Sequence, residues 1–299
     1  MIESFSKLRE LVESAKKRVV VVAAAHDAHT LEAVFKAHEE GVLDYILVGK
    51  AQEIRKIGEE LSHPLEDSAI IHTETDEEAA AVAIEQIRNG KADFLQKGLL
   101  ATSTLLKAVV NKETGIGTGN IISHVALLDI PAYHKIVGVT DGGMILYPDL
   151  EQKKAIVKNA VHMFHNFGYE EPKVAAVCAV EVKNPKMPET LDAAALKEMN
   201  ENGEIDGCLV EGPISFDLAV NKESAVVKKY ESKVTGEVDI LLVPDICTGN
   251  IMVKGLLEFG QTQMAGCVIG AKCPIALNSR SATFEEKYYS LLACAYMAG

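Results

Sequence analysis

No stretch of this chain stays apolar for the roughly 20 residues that a membrane-spanning helix requires, so a membrane protein is not expected. Basic residues are also in short supply: 30 Lys and Arg stand against 43 Asp and Glu, a formal net charge of −13 at pH 7. That balance opposes binding to phosphate backbones, and the chain carries no basic stripe or nucleic-acid motif. Nucleic acid is therefore excluded as a partner. The N-terminal Met1-Ile2-Glu3-Ser4-Phe5 lacks the basic stretch and apolar core of a secretory signal, from which a cytoplasmic location is expected. Among the six cysteines, Cys178, Cys208, Cys247, Cys267, Cys273 and Cys294, there is no CxxC or other metal-ligand spacing. Most lie in apolar or Ala/Gly-rich runs and are expected as buried thiols. Cys247 stands in a polar loop, where a nucleophilic role is the alternative, although no histidine lies near it in sequence to activate it. His26 and His29 are three apart but have no carboxylate or thiol partner in a ligating pattern, so surface or loop histidines are expected and no metal site. Gly115, Gly117 and Gly119 lack the spacing of a dinucleotide fingerprint, and the Ser123-His124 adjacency does not by itself make a nucleophile and base. Neither a solenoid repeat nor a low-complexity tract is present.

What remains is the composition of a soluble globular protein, 48% hydrophobic and 24% charged over 299 residues. A single hydrophobic core stops growing near roughly 250 to 300 residues, so two domains are expected. The N-terminal half alternates short apolar runs with helical periodicity: strands near 18–25, 45–48, 69–72 and 92–95, helices near 31–38, 51–61, 76–88 and 102–109. Thr75 to Glu78 is a capping box opening the third of these helices, and Asn89-Gly90 ends it. Residues 111–123 break the rhythm and are expected as a loop. Strands near 125–130 and 136–140, a helix near 150–167, and a second series of strands (174–182, 208–210, 238–243) and helices (191–199, 224–230) follow. Buried strands joined by helical crossovers imply mostly parallel sheets with helices on both faces. The expected domains are 1–128 with 268–299, and 129–267.

Two polar clusters near the C-terminus each follow a strand-like run and open a helix-like one. Parallel sheets present their binding loops at such places. The first is Pro244-Asp245-Ile246-Cys247-Thr248-Gly249-Asn250, in which Asp245, Thr248 and Asn250 offer polar side chains and Gly249 allows close backbone approach. An alternative role is structural, with Thr248 or Asn250 capping a helix over 251–259. The second, Asn278-Ser279-Arg280-Ser281, follows a strand over 273–277 and sets an arginine fork beside two hydroxyls. That set can hold a phosphate and meet a developing oxyanion; the alternative is a solvated turn. Lys97-Gly98 at a strand end, followed by Thr102-Ser103-Thr104 at a helix start, offers a third anion-binding element. Its alternative is a water-facing lysine and a helix cap.

At these residues the chain resembles the phosphate acetyl/butyryltransferase family, over nearly its whole length. The Pro-Asp-x-x-x-Gly-Asn sequence, the Ser-Arg pair and the Lys-Gly element carry the resemblance, with the last pointing to the butyryltransferase branch. It implies two three-layer α/β domains of the isocitrate/isopropylmalate dehydrogenase type with an active-site cleft between them. It also implies reversible transfer of a short acyl group between coenzyme A and inorganic phosphate, with coenzyme A as substrate, no bound cofactor or metal, and a homo-oligomer. Ser279 and Arg280 take the transition-state and phosphate-binding roles. Lys97, Gly98, Thr102, Asp245, Thr248, Gly249 and Asn250 become substrate-binding. The acetyltransferase branch has an aspartate six residues after the arginine as general base, and here that position is Glu286. Thr283-Phe284-Glu285-Glu286 is also a capping box, so base and cap both stand for Glu286. The segment from Glu211 to Asp217 matches a family element in which an aspartate replaces Glu211. An acetyl-preferring enzyme, an NAD- and metal-dependent decarboxylating dehydrogenase and a non-catalytic acyl-CoA-binding protein are the alternative functions.

Overall fold

The β-branched runs of the sequence become strands because their side chains fill a pleated surface that is buried on both faces. A computed structural model describes every residue from Met1 to Gly299. Its chain forms two compact units, Phe5–Asn120 with Met264–Gly299, and Met1–Ser4 with Ile121–Gln263. The chain thus passes between units at 4/5, 120/121 and 263/264, where the sequence reading puts the changes at 128/129 and 267/268.

The first unit begins with α1 (Phe5–Glu13), β1 (Arg18–Ala23), α2 (Ala28–Glu39), β2 (Leu43–Gly49), α3 (Ala51–Glu60) and β3 (Ile70–His72). It continues with α4 (Asp76–Arg88), β4 (Phe94–Lys97) and α5 (Thr102–Val109). The expected capping box forms at α4, where the Thr75 hydroxyl accepts the Glu78 amide at 3.2 Å. The strand expected at 92–95 lies two residues later, because Asp93 turns aside to accept the Val19 amide at 2.7 Å.

The second unit contains β5 (Ser123–Asp129), β6 (Val137–Thr140), α6 (Leu150–Asn166), β7 (Lys173–Val177), α7 (Pro188–Glu201) and β8 (Leu209–Ile214). Then come α8 (Phe216–Val220), α9 (Lys222–Lys228), β9 (Ile240–Leu242) and α10 (Ile246–Gly260). Its strand order is β5-β6-β9-β7-β8, parallel except for the β5/β6 hairpin. Glu211, on β8, is buried and accepts the Lys197 ammonium at 2.7 Å. α10 differs from expectation. It starts at Ile246 rather than 251, since Asp245 is its cap, and Thr248 to Asn250 lie inside its first turns.

β10 (Gln263–Ile269), β11 (Ile275–Ala276) and α11 (Phe284–Met297) bring the chain back to the first unit. The order there is β3-β2-β1-β4-β11-β10, parallel but for the antiparallel β10/β11 pair. β10 is a strand the periodicity does not announce. The strand expected over 273–277 shrinks to two residues. Crossovers running from β1 to β3 and back from β3 to β4 reverse direction, and right-handed connections then place helices on opposite faces. α11 accordingly packs on α2 and α1, while α4 packs on α5. Each unit is thus an α/β arrangement around a mostly parallel sheet.

Candidate active site

β1, β4 and β11 are neighbours in the first unit and run in the same direction, with Ala276 opposite Gln96 and Gln96 opposite Val22. Following that register, Lys97-Gly98, the Ala24–Asp27 loop and Asn278-Ser279-Arg280 all leave the sheet at its carboxyl edge. Ligands of open α/β sheets bind at such an edge. The β1 loop turns sharply through Ala24, at φ 54° in the left-handed region. Its carbonyl takes the Leu99 amide at 2.9 Å, and the Ala23 carbonyl takes that of Gly98 at 2.9 Å. Contact is so close that a Cβ on Gly98 would lie 2.2 Å from the Ala24 oxygen. Backbone cannot yield as a side chain can. Gly98→Ala is therefore expected to lower unfolding stability by about 1–3 kcal/mol, the usual cost of forcing extra volume into a packed site. A denaturant titration reads this directly, and an unchanged midpoint would mean that the loop relaxes freely.

Lys97 does not face water. It is 5% exposed, and its ammonium donates one hydrogen bond, to the Gly98 carbonyl at 3.2 Å. Burial lowers its pKa, repulsion from Lys287 and Arg280 lowers it further, and Asp27 pulls the other way. Lys287, from α11, is 4% exposed and donates to Asp27 Oδ1 at 2.8 Å and Thr30 Oγ1 at 3.0 Å. Asp27 Oδ1 also caps α2 by accepting the Thr30 amide at 2.8 Å. Burial pushes the Asp27 carboxyl up, but Lys287 and Thr30 together outweigh it and hold the group below its ordinary range. Lys97 thus feels two further cations and one carboxylate in a protein whose overall charge is −13. The arrangement favours an anion with more than one negative charge.

Lys287, Asp27 and Thr30 have no part in the sequence reading. Asp27-x-x-Thr30 is a visible cap signal, but Lys287 sits behind Glu285-Glu286 in a pattern that reads as a solvated helix face. His26, expected as a surface or loop histidine, does stand in this loop but is buried, against Gly49. Thr102 is the first residue of α5 and is half-buried; the cap position belongs to Ala101, so the expected Thr/Ser cap does not form.

Ser279 and Arg280 are exposed at the turn between β11 and α11. The turn is fixed from beneath. Asn278 is 4% exposed and donates to Ser290 Oγ at 2.9 Å and to the Glu286 carbonyl at 3.3 Å, tying the strand end to the first turns of α11. Ser290 Oγ also accepts the Gly266 amide at 2.8 Å, so β10 anchors the same point. Within the turn, Ser279 Oγ lies 3.1 Å from Ser281 Oγ. Both halves of the capping box form at α11: the Thr283 hydroxyl accepts the Glu286 amide at 3.3 Å, and Glu286 Oε1 accepts the Thr283 amide at 3.5 Å. The carboxylate half is the long one, and Glu286 is only half-buried.

The remaining site candidates belong to the second unit. Asp245 Oδ1 accepts the Thr248 amide at 2.8 Å and its hydroxyl at 3.0 Å, so this carboxylate closes the start of α10. Gly249 is buried, and a Cβ there would lie 2.7 Å from the Gly142 Cα. Asn250 Nδ2 reaches the Gly142 carbonyl at 3.4 Å. The partner strand end is equally ordered: Asp141, 2% exposed, accepts the His124, Gly143 and Met144 amides at 3.0, 2.8 and 2.8 Å. Sequence reasoning passes over Asp141-Gly142, although a Gly-Gly pair after a strand marks a close backbone approach. Cys247 lies in the first turn of α10 and is exposed; the other five thiols are buried. Burial pushes those of Cys178, Cys208 and Cys273 up to about 12, far from a reactive thiolate.

The family model described as "Phosphate acetyl/butaryl transferase" matches residues 4–83 and 69–295. A phosphate butyryltransferase of Clostridium acetobutylicum is 41% identical over 299 residues, covering 100% of this chain and 99% of that protein. A phosphate acetyltransferase of Thermotoga maritima is 40% identical over 293 residues, covering 97% and 99%. Among solved structures, a branched-chain phosphotransacylase from Enterococcus faecalis V583 superposes with a TM-score of 0.82 at 30% identity, covering 94% of this chain and 99% of that one. Carrying the cation-rich strand ends and matching the family over nearly its full length, the chain belongs to the phosphate acetyl/butyryl transferase family and is a phosphate acyltransferase.

Proposed function

We propose that the enzyme moves a butyryl-sized acyl group reversibly between coenzyme A and inorganic phosphate, by direct attack with both substrates bound. The observation that carries this reading is the Lys97, Arg280 and Lys287 cluster, three cations with one carboxylate among them at the carboxyl edge of a parallel sheet. Lys97 and the amides at the start of α5 near Thr102 hold the phosphate end of the substrate, and Gly98, with no side chain, lets it come close to the backbone. Asp245, Thr248, Gly249 and Asn250, at the start of α10, form a second substrate-binding element, in which Asp245 keeps the helix start in place. In the direction of acyl-CoA synthesis the thiol has to lose its proton, since with a pKa near about 8.5 it is only a few per cent thiolate at neutral pH. Glu286 takes that proton. The thiolate attacks the acyl carbonyl, and negative charge grows on the carbonyl oxygen and the departing phosphate, where Ser279 and Arg280 meet it.

Direct transfer predicts intersecting initial-velocity lines when both substrates are varied; parallel lines would put a covalent acyl-enzyme, with Cys247 the exposed thiol, in its place. Chain-length preference is read from phosphate-dependent thiol release with acetyl-, propionyl- and butyryl-CoA. Each methylene accommodated in an apolar pocket contributes about 1–3 kcal/mol, so butyryl-CoA is expected to exceed acetyl-CoA in kcat/KM by about tenfold or more. Equal or reversed values would make the enzyme acetyl-preferring, the alternative that the Thermotoga relative supports at 40% identity. The same assay separates an enzyme from an acyl-CoA-binding protein, which would release no thiol. A cytoplasmic homo-oligomer acting without a resident cofactor completes the proposal, with coenzyme A and the acyl phosphate as its small-molecule partners.

A further inference from the structure

α10 is apolar on two opposite sides. Gly249 and Val253 are buried towards its own unit. At 3.6 residues per turn the other side carries Thr248, Ile251, Met252, Gly255 and Phe259. Thr248, Met252, Gly255 and Phe259 follow at steps of four, three and four, the spacing of a seam that receives a second helix. The seam lacks cover within the chain, with Phe259 92% exposed and Ile251 67%. A helix apolar on both sides is built to be enclosed. Gly255 stands at the middle of the seam. Glycine is a weak helix former, and a Cβ built there meets nothing within 4 Å, so no neighbour in the chain requires it. A second helix crossing at this point approaches backbone to backbone. Lys254 and Glu258 are the only charged residues of α10 and lie along one edge of the seam, which is thus neutral on a chain of net charge −13. Two acidic copies repel each other least at such a place.

We propose that this seam is where two copies of the chain meet, their α10 helices packed antiparallel about a two-fold axis at Gly255. That symmetry sets glycine against glycine and Ile251 level with Phe259 of the partner subunit. It also keeps the two charged edges on one side, where Lys254 stands two residues, about 3 Å along the helix axis, from Glu258 of the partner subunit. Each contact occurs twice, as an isologous interface requires. The seam serves the homo-oligomer proposed above, and its assignment rests on that reading.

Sedimentation velocity on the full chain reads the association directly. The wild type is expected to sediment as a dimer or an even multiple of one. Phe259→Glu places an unpaired carboxylate in the contact twice over, and Gly255→Leu wedges the two backbones apart. Each is expected to raise the dissociation constant of this contact about a hundredfold or more. Phe259 projects from the chain and the space beside Gly255 is open, so far-UV circular dichroism of both variants should match the wild type. Lys254→Glu and Glu258→Lys each set like charges against one another and are expected to weaken association about tenfold. The double variant Lys254→Glu/Glu258→Lys restores opposite charges and should return association close to the wild-type strength.

A dimer undiminished in both Phe259→Glu and Gly255→Leu would overturn the assignment while leaving a homo-oligomer joined through another surface. Association no stronger in the double charge variant than in the single ones would overturn the antiparallel register. A wild type monomeric at every concentration would remove the homo-oligomer as well and leave the seam to a different partner. Phosphate-dependent thiol release on the same preparations reports acyl transfer independently of all three.

Discussion

Arg280→Ala is expected to fold normally and to lose between about a hundredfold and a thousandfold in turnover, the usual effect of deleting one donor to a developing charge. The fold should survive because the side chain is exposed and the turn that carries it is fixed by Asn278, Ser290 and Gly266 rather than by the arginine. Lysine restores the charge but not the planar fork, so Arg280→Lys should recover only part of the loss. The assay is phosphate-dependent thiol release, with thermal unfolding recorded on the same preparations. A second effect belongs to the same substitution: one of the two cations that depress the Lys97 pKa disappears, so phosphate binding should persist to higher pH even as turnover falls. Wild-type turnover in Arg280→Ala would remove the residue from the chemistry.

Glu286→Gln is expected to separate the two roles open to this side chain. Glutamine serves a capping box as glutamate does, so the Thr283 amide keeps its acceptor and stability should change by less than about 1 kcal/mol. A lost general base costs roughly a hundredfold to ten-thousandfold in rate, measured as acyl-CoA formation from acyl phosphate and coenzyme A. The deficit should also depend on pH in one direction. Below the thiol pKa, near about 8.5, the base is needed; above it coenzyme A supplies its own thiolate, and the variant should close on the wild type. A rate near that of the wild type at neutral pH, with stability unchanged, would leave Glu286 as a cap alone.

Much of the fold was legible because its signals are local. The Thr75–Glu78 and Thr283–Glu286 boxes both form, and the alternation of buried strands with amphipathic helices already specifies a mostly parallel sheet. β10 was not legible. Its last six residues are all buried, so no alternation marks it, and its antiparallel pairing with the short β11, Cys267 with Ala276 and Val268 with Ile275, is not visible in the chain order. The start of α10 was misplaced for a different reason: Asp245 to Asn250 read as loop chemistry, while the aspartate was using its carboxylate to begin the helix. In the candidate site, Ser279, Arg280 and Lys97 stood out by residue type and position. Lys287 did not. Two glutamates precede it in sequence, and only the packing of α11 on α2 carries it inward to Asp27.

The division of the first unit between residues 5–120 and 264–299 has a consequence for synthesis. On the ribosome, residues 121–263 emerge in one piece and can collapse while translation continues. β4 meanwhile waits with one side unsatisfied, since its neighbour β11 is encoded some 180 residues later. Lys97 and Arg280 therefore meet only after most of the nascent chain is made, and an incomplete product exposes a sticky strand edge without the arginine turn.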